Sequence, residues 1–155
     1  MKKQLEYKFA VSELSIKYKS KVPIKERSTL VDSDSMAKAF YSYWDKDSIE
    51  LYEESYAMFL SSDFKALGLI CVGSGSSTQS MLDVRRVAQA ALLVNAAAVA
   101  LCHNHPSGNM KPSPQDKSVT KKADEALRCL GIRLIDHLII SPEGEYYSFA
   151  DEGEL

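Results

Sequence analysis

Apolar residues alternate with polar ones in some stretches of this chain and recur at helical spacing in others, and the two periods divide it into elements. Leu5, Tyr7, Phe9 and Val11, then Leu14, Ile16 and Tyr18, alternate loosely and predict one or two strands over residues 4–19. Pro23 interrupts, and the charged run 19–27 reads as a solvated loop. The period then changes. Met36, Ala39, Phe40 and Tyr43 fall on one helical face, which predicts a helix over 33–44, with Ser33, Asp34 and Ser35 as capping options and Trp44 closing it. These aromatics are expected in a core or an interface rather than as a base-stacking platform.

A turn at 45–48 precedes a strand in the second half of 49–60. Residues 61–63 make a hairpin turn and 65–72 give the partner strand. The Gly/Ser-rich loop 73–77 lacks the lysine of a phosphate-binding loop and the spacing of a dinucleotide fingerprint, so it reads as a plain connection. A helix is predicted from Asp83, its cap, to about Asn95, with Val84, Val87, Ala91 and Leu92 inward and Arg85, Arg86 and Gln89 outward. The apolar run 97–102 is a strand. The helix from Ser113 to Leu130 buries Val119, Ala123, Leu127 and Leu130 and stops at Gly131. Residues 132–140 form a strand, 141–144 turn, 146–150 return as a short last strand, and 151–155 read as a tail. Alternating strands and helices framed by hairpins imply an α/β (α+β) chain built on a mixed sheet. Residues 1–44 are expected as an extension packing on a core domain of 45–155.

Bulk properties narrow the function. The 155 residues suit one domain with a sizeable core. A net charge of −2 gives no global basic field to hold nucleic acid. No apolar run can span a bilayer, and the first residues lack the apolar core of a signal peptide, so a cytoplasmic protein without membrane partners is expected. Cys71, Cys102 and Cys129 are widely spaced in apolar runs and read as buried free thiols.

The candidate chemistry lies in 103–116, His-Asn-His-Pro-Ser-Gly-Asn-Met-Lys-Pro-Ser-Pro-Gln-Asp. Alternation on a strand puts His103 and His105 on one face, with Cys102 and Asn104 on the other. Pro106 and Gly108 break the strand, and Ser107 and Gly108 shape the turn. Ser113-Pro114-Gln115-Asp116 has the form of a helix start, with serine as cap, proline first and an acidic residue third. Folding that end back brings Asp116 towards the histidines. Two neutral imidazoles and one carboxylate suit Zn²⁺ and leave a fourth position for water, the pattern of a catalytic site. As alternatives, Asp116 is also a favoured anion at a helix start, and Ser113 a plain cap. His137, on an apolar strand beside Asp136, is expected as a satisfied core histidine, with support of a metal ligand as the alternative.

His-X-His-Pro, six residues, Ser, two residues and Asp resembles the metal signature of the JAB/MPN (JAMM) metalloprotease fold, matched at His103, His105, Pro106, Ser113 and Asp116. The wording His-Asn-His-Pro-Ser-Gly, with Asp136-His137-Leu138-Ile139-Ile140 and Tyr147-Ser148-Phe149-Ala150, resembles the RadC family from about residue 45 onward. The resemblance implies a JAB/MPN-like (cytidine-deaminase-like) curved mixed sheet flanked by helices. It also implies a zinc-dependent hydrolase of peptide or isopeptide bonds. The family pattern supplies a glutamate base from an upstream strand, which falls at Glu53, with Glu54 second and Glu50 third. It makes Ser113 a hydrogen-bond donor to an oxyanion. That family is often labelled a DNA-repair protein, and its full-length members often carry a helix-hairpin-helix segment of which this chain shows no sign. A peptide or protein substrate is therefore expected. The alternatives are an accessory protein in DNA repair or recombination with a structural metal and, last, a metal-dependent nuclease.

Overall fold

The apolar run ahead of the histidine pair becomes the middle strand of a sheet and is buried on both faces, which is why its sequence is almost continuously apolar. In the computed structural model, which describes residues 11–75 and 82–155, the strands are β1 (Glu54–Leu60), β2 (Ala66–Ser74), β3 (Ala98–Asn104), β4 (Arg133–Ile140) and β5 (Tyr146–Ser148). Their order across the sheet is β2-β1-β3-β4-β5. β3 and β4 run parallel; the other neighbouring pairs are antiparallel. The α-helices are α1 (Ser33–Tyr43), α2 (Val84–Leu93) and α3 (Pro114–Cys129), and α3 is the crossover that the parallel β3/β4 pair requires.

Strand alternation sorts the core into two halves. Ala98, Ala100 and Cys102 of β3 face α1, where they pack with Met36, Ala37, Phe40 and Trp44. Their small size leaves room for the two large rings. Val99 and Leu101 face the opposite way, against Val87 and Ala91 of α2 and Ala123 and Leu127 of α3. Both sides of the sheet are therefore covered by helix.

The local signals are those of the residues themselves. Asp83 caps α2 through the Arg86 amide at 3.1 Å, and Ser113 caps α3 reciprocally with Asp116. Gly131 takes φ +71° just past α3, the left-handed stop that glycine accepts without strain. The cap of α1 is Asp32, not one of the three residues that follow it: its carboxylate accepts the Ser35 amide at 2.8 Å. Ser33 is used elsewhere, its hydroxyl meeting Ser148 at 3.1 Å and Asp151 at 3.0 Å.

Other expectations need correction. Residues 11–19 form no regular element, and Val11, Leu14 and Ile16 stay exposed; residues 4–10 lie outside the described residues. The loop 19–27 contains a short 3-10 helix, Ile24–Glu26. Residues 73 and 74 belong to β2, not to the following loop. Leu92 and Leu130 are exposed, since each sits at the end of its helix beyond the sheet-facing residues. Of the three free cysteines only Cys102 is buried; Cys71 is half-buried on the edge strand and Cys129 is exposed on the last turn of α3.

The α1 side of the core is testable. Phe40 is 0% exposed beneath the sheet, so Phe40→Ala is expected to cost about 3–5 kcal/mol in urea unfolding. A loss below about 1 kcal/mol would show that α1 lies outside the cooperative unit.

Candidate metal centre

His103 continues the row Val99–Leu101 on the α2/α3 face of β3, and Asn104 continues the row facing α1. The strand then ends. The His105 amide donates to the Ile140 carbonyl at 3.0 Å, and Gly108, at φ +73°, donates back to the His105 carbonyl at 2.9 Å. That turn carries the chain to the start of α3. Because β3 and β4 are parallel, the N-terminus of α3 lies over the C-terminal ends of both strands, the place where open α/β sheets gather ligands.

Three side chains converge there. His103 Nε2 and His105 Nε2 are 3.1 Å apart. Asp116 Oδ1 lies 3.3 Å from the first and Oδ2 3.6 Å from the second. Ligand atoms about 2.0–2.1 Å from a tetrahedral zinc stand roughly 3.3 Å from one another, and the three contacts are close to that length, with a different carboxylate oxygen facing each imidazole. His103 is buried, while His105 and Asp116 keep 12% and 15% of their side chains exposed, so the cluster is reachable from solvent. His105 Nδ1 is hydrogen-bonded to the Asn109 carbonyl. A carbonyl only accepts, so Nδ1 holds the proton and the Nε2 lone pair of a neutral His105 faces the cluster. The donor set thus fits a metal ion, and among the described residues these three form a group whose ligand atoms all lie within 4.8 Å of one another.

The electrostatics agree. Burial alone would lower the pKa of His105. Hydrogen bonds to Asp116 and the Asn109 carbonyl, with the charges of Asp116 and Glu53, outweigh it and raise the pKa above 6.5. Burial would raise the pKa of Asp116, but its contacts with His103 and His105 hold the carboxyl far below the usual range. The site therefore attracts positive charge, whether proton or metal.

The three glutamates lie in different surroundings. Ser55 pairs with His103 across β1 and β3, and Glu53 lies one residue before β1. Its charge is felt at His105. Glu54 faces the α1 side: it accepts from Ser48 at 3.3 Å and, after burial, is the next cause of the Tyr56 phenol being pushed up to about 12. Glu50 is exposed in the preceding turn. Asn104 holds this segment in place. Its Oδ1 accepts the Glu54 amide at 2.7 Å, and its Nδ2 donates to the Ile49 and Tyr52 carbonyls at 2.7 and 3.0 Å. The sequence placed Asn104 opposite the histidines as a loop anchor; the structure shows that it anchors the strand entry carrying Glu53. The Ser113 hydroxyl donates to Asp116 Oδ2 at 2.7 Å, and the Ser113 amide donates to the same oxygen at 2.7 Å. Ser113 therefore both caps α3 and orients the Asp116 carboxylate.

His137 is fully buried, and burial pushes its pKa well below 6.5. It is a core residue, stacked on Phe149 with ring centroids 5.0 Å apart, and its Nε2 also meets His103 Nδ1 at 2.9 Å. Thr120, on α3, touches the other ring nitrogen of His137 at 2.6 Å. No sequence motif marked Thr120; its spacing of four from Asp116, on the same helix face, is the signal that was there.

A mixed sheet covered by helices, with two histidines at the end of its central strand and a carboxylate at the start of the next helix, defines a domain of the JAB/MPN type. The sequence profile of a family described as RadC-like JAB domain matches residues 31–154. A UPF0758 protein of Porphyromonas gingivalis is 41% identical over 103 residues, 66% of this chain and 45% of that protein. A UPF0758 protein of Flavobacterium johnsoniae is 41% identical over 102 residues, 66% of this chain and 44% of that protein. One from Pseudomonas fluorescens is 39% identical over 106 residues, 68% of this chain and 47% of that protein. The chain belongs to the RadC-like JAB domain family, and it spans less than half the length of these relatives. Among the described residues no helix is long and apolar enough to cross a membrane.

The pKa shifts give a pH signature in metal-free protein. A depressed Asp116 stabilises the fold above the ordinary carboxylate range and loses that contribution as pH falls towards its folded value. A raised His105 stabilises fully below its unfolded pKa and loses this as pH rises through its folded value. Both are charged together between about pH 4 and 6.5. The stability difference between wild type and Asp116→Asn, from urea midpoints in chelator, is therefore expected to be larger at pH 5.5 than at pH 8. A difference that grows with pH would contradict the pairing.

Proposed function

We propose that this domain is a zinc-dependent hydrolase of the JAMM type, cleaving an amide bond in a peptide or isopeptide substrate. The observation that carries this reading is the convergence of donor atoms from His103, His105 and Asp116, open to solvent at His105 and Asp116, with the charge of Glu53 acting on His105. Two histidines, one carboxylate and one open position is a donor set for catalytic zinc. A zinc ion held there supplies Lewis acidity and lowers the pKa of water to about 7.

The chain's own groups supply the rest. Glu53 takes the proton of the attacking water and returns it to the leaving nitrogen. His105 and Asp116 keep their donor atoms turned inwards through the Asn109 carbonyl and the Ser113 amide. The Ser113 amide and hydroxyl both donate to Asp116 Oδ2, so the amide still holds that oxygen when the hydroxyl turns to the oxyanion of a tetrahedral intermediate. A single carboxylate among the ligands favours amide over phosphodiester hydrolysis, because two-metal nucleases need more.

Elemental analysis with a peptide-library assay, run beside a DNA substrate, tests the proposal. Wild type is expected to hold one zinc per chain and to cleave peptide, and His103→Ala to lose both. Glu53→Gln should retain zinc while turnover falls about 100-fold or more, and Glu54→Gln should behave as wild type. Full activity in Glu53→Gln, or cleavage of DNA instead of peptide, would overturn the assignment.

A further inference from the structure

The hydrogen bonds behind His103 run in one direction only, and the group that sets the direction is a main-chain carbonyl. The Thr120 hydroxyl donates to the Asp116 carbonyl at 2.6 Å, the backward bond of a helical threonine to residue i−4. That carbonyl has no proton to give, so the single hydroxyl proton of Thr120 is committed to it. His137 Nδ1, 2.6 Å from the same hydroxyl oxygen, must then be the donor of that contact. A neutral imidazole carrying its proton on Nδ1 accepts at Nε2. His137 is fully buried and stacked on Phe149, which holds its ring in this orientation. His137 Nε2 lies 2.9 Å from His103 Nδ1, so His103 must donate there and its own proton sits on Nδ1. The Nε2 of His103 is left bare, 3.1 Å from His105 Nε2 and 3.3 Å from Asp116 Oδ1.

We propose that Thr120 and His137 are positioning residues that fix His103 in the tautomer presenting a bare Nε2 to the cluster, through a chain that starts at the backbone of the third ligand, Asp116. The chain closes on itself. Asp116 offers its carboxylate on one side and, through its carbonyl, Thr120 and His137, sets the protonation of the histidine it faces on the other. Histidine ligands are commonly oriented by a partner on the second ring nitrogen. Here that partner is another histidine, itself set by a helix carbonyl two hydrogen bonds away. The inference rests on the reading of His103 as a metal ligand only for its consequence, not for the tautomer.

Nitrogen-15 NMR of the imidazoles in zinc-free protein tests it. Wild type is expected to show Nδ1–H on both His103 and His137. Thr120→Val keeps the buried shape and removes the hydroxyl; it should release His137 from that tautomer and, with it, His103. Zinc affinity by chelator competition should fall about tenfold in Thr120→Val. Thr120→Ser restores the hydroxyl and should recover both readouts, which a purely packing role for Thr120 does not predict. An Nε2–H tautomer at His103 in wild type, or unchanged tautomers in Thr120→Val, would overturn the proposal. If the tautomers are as stated and wild type takes up no zinc, the hydrolase reading fails while the hydrogen-bond chain stands.

Discussion

Two imidazole nitrogens 3.1 Å apart, with carboxylate oxygens 3.3 and 3.6 Å away, are the constraint on which this structure turns. Bare nitrogens so close repel unless something positive lies between them. Each ring is tied from behind, His105 to the Asn109 carbonyl and His103 to His137, so neither escapes by rotating without leaving a partner unpaired in a mostly buried site. The raised pKa of His105 and the depressed one of Asp116 show the same demand met by a proton. A divalent metal held by all three donors at once would meet it too.

The rest of the fold can be read as what keeps these donors together. β3 is covered on both faces by helix, so its end is held rigid. α3 must cross back over the sheet because β4 is parallel to β3, and its capped N-terminus delivers Asp116 and Ser113 to the strand end. Asn104 turns its side chain the other way and fixes the entry to β1 with three hydrogen bonds. One strand thus places His103 on one face and Asn104, the anchor of the Glu53 segment, on the other. Rigid elements rather than loops set most of the geometry, which is what a pre-organised site requires.

Much of this was legible in the chain. The His103/His105 pair follows from strand alternation, and Asp116 from a serine-proline helix start, because both signals are local. Glu53 was ranked over Glu54 through the family pattern; in the structure Glu54 accepts from Ser48 on the α1 side, and the charge of Glu53 acts on His105. What the sequence did not disclose depends on contacts between distant residues. Thr120 looks like any helix-surface threonine until β4 brings His137 against it. Asp32 displaced Ser33 as a cap because Ser148 and Asp151, over a hundred residues away, engage the Ser33 hydroxyl. The alternation of Val11, Leu14 and Ile16 suggested a strand, yet these residues are exposed and in no regular element. Leu92 and Leu130 carry helical periodicity past the point where the sheet stops.

The most direct measurement of the central claim is X-ray absorption at the zinc edge of the loaded protein. Four-coordinate zinc is expected, with two imidazole nitrogens and two oxygens at about 2.0–2.1 Å, one oxygen from Asp116 and one from water. A shell without imidazole, one containing cysteine sulfur, or one closed by four protein ligands would contradict it.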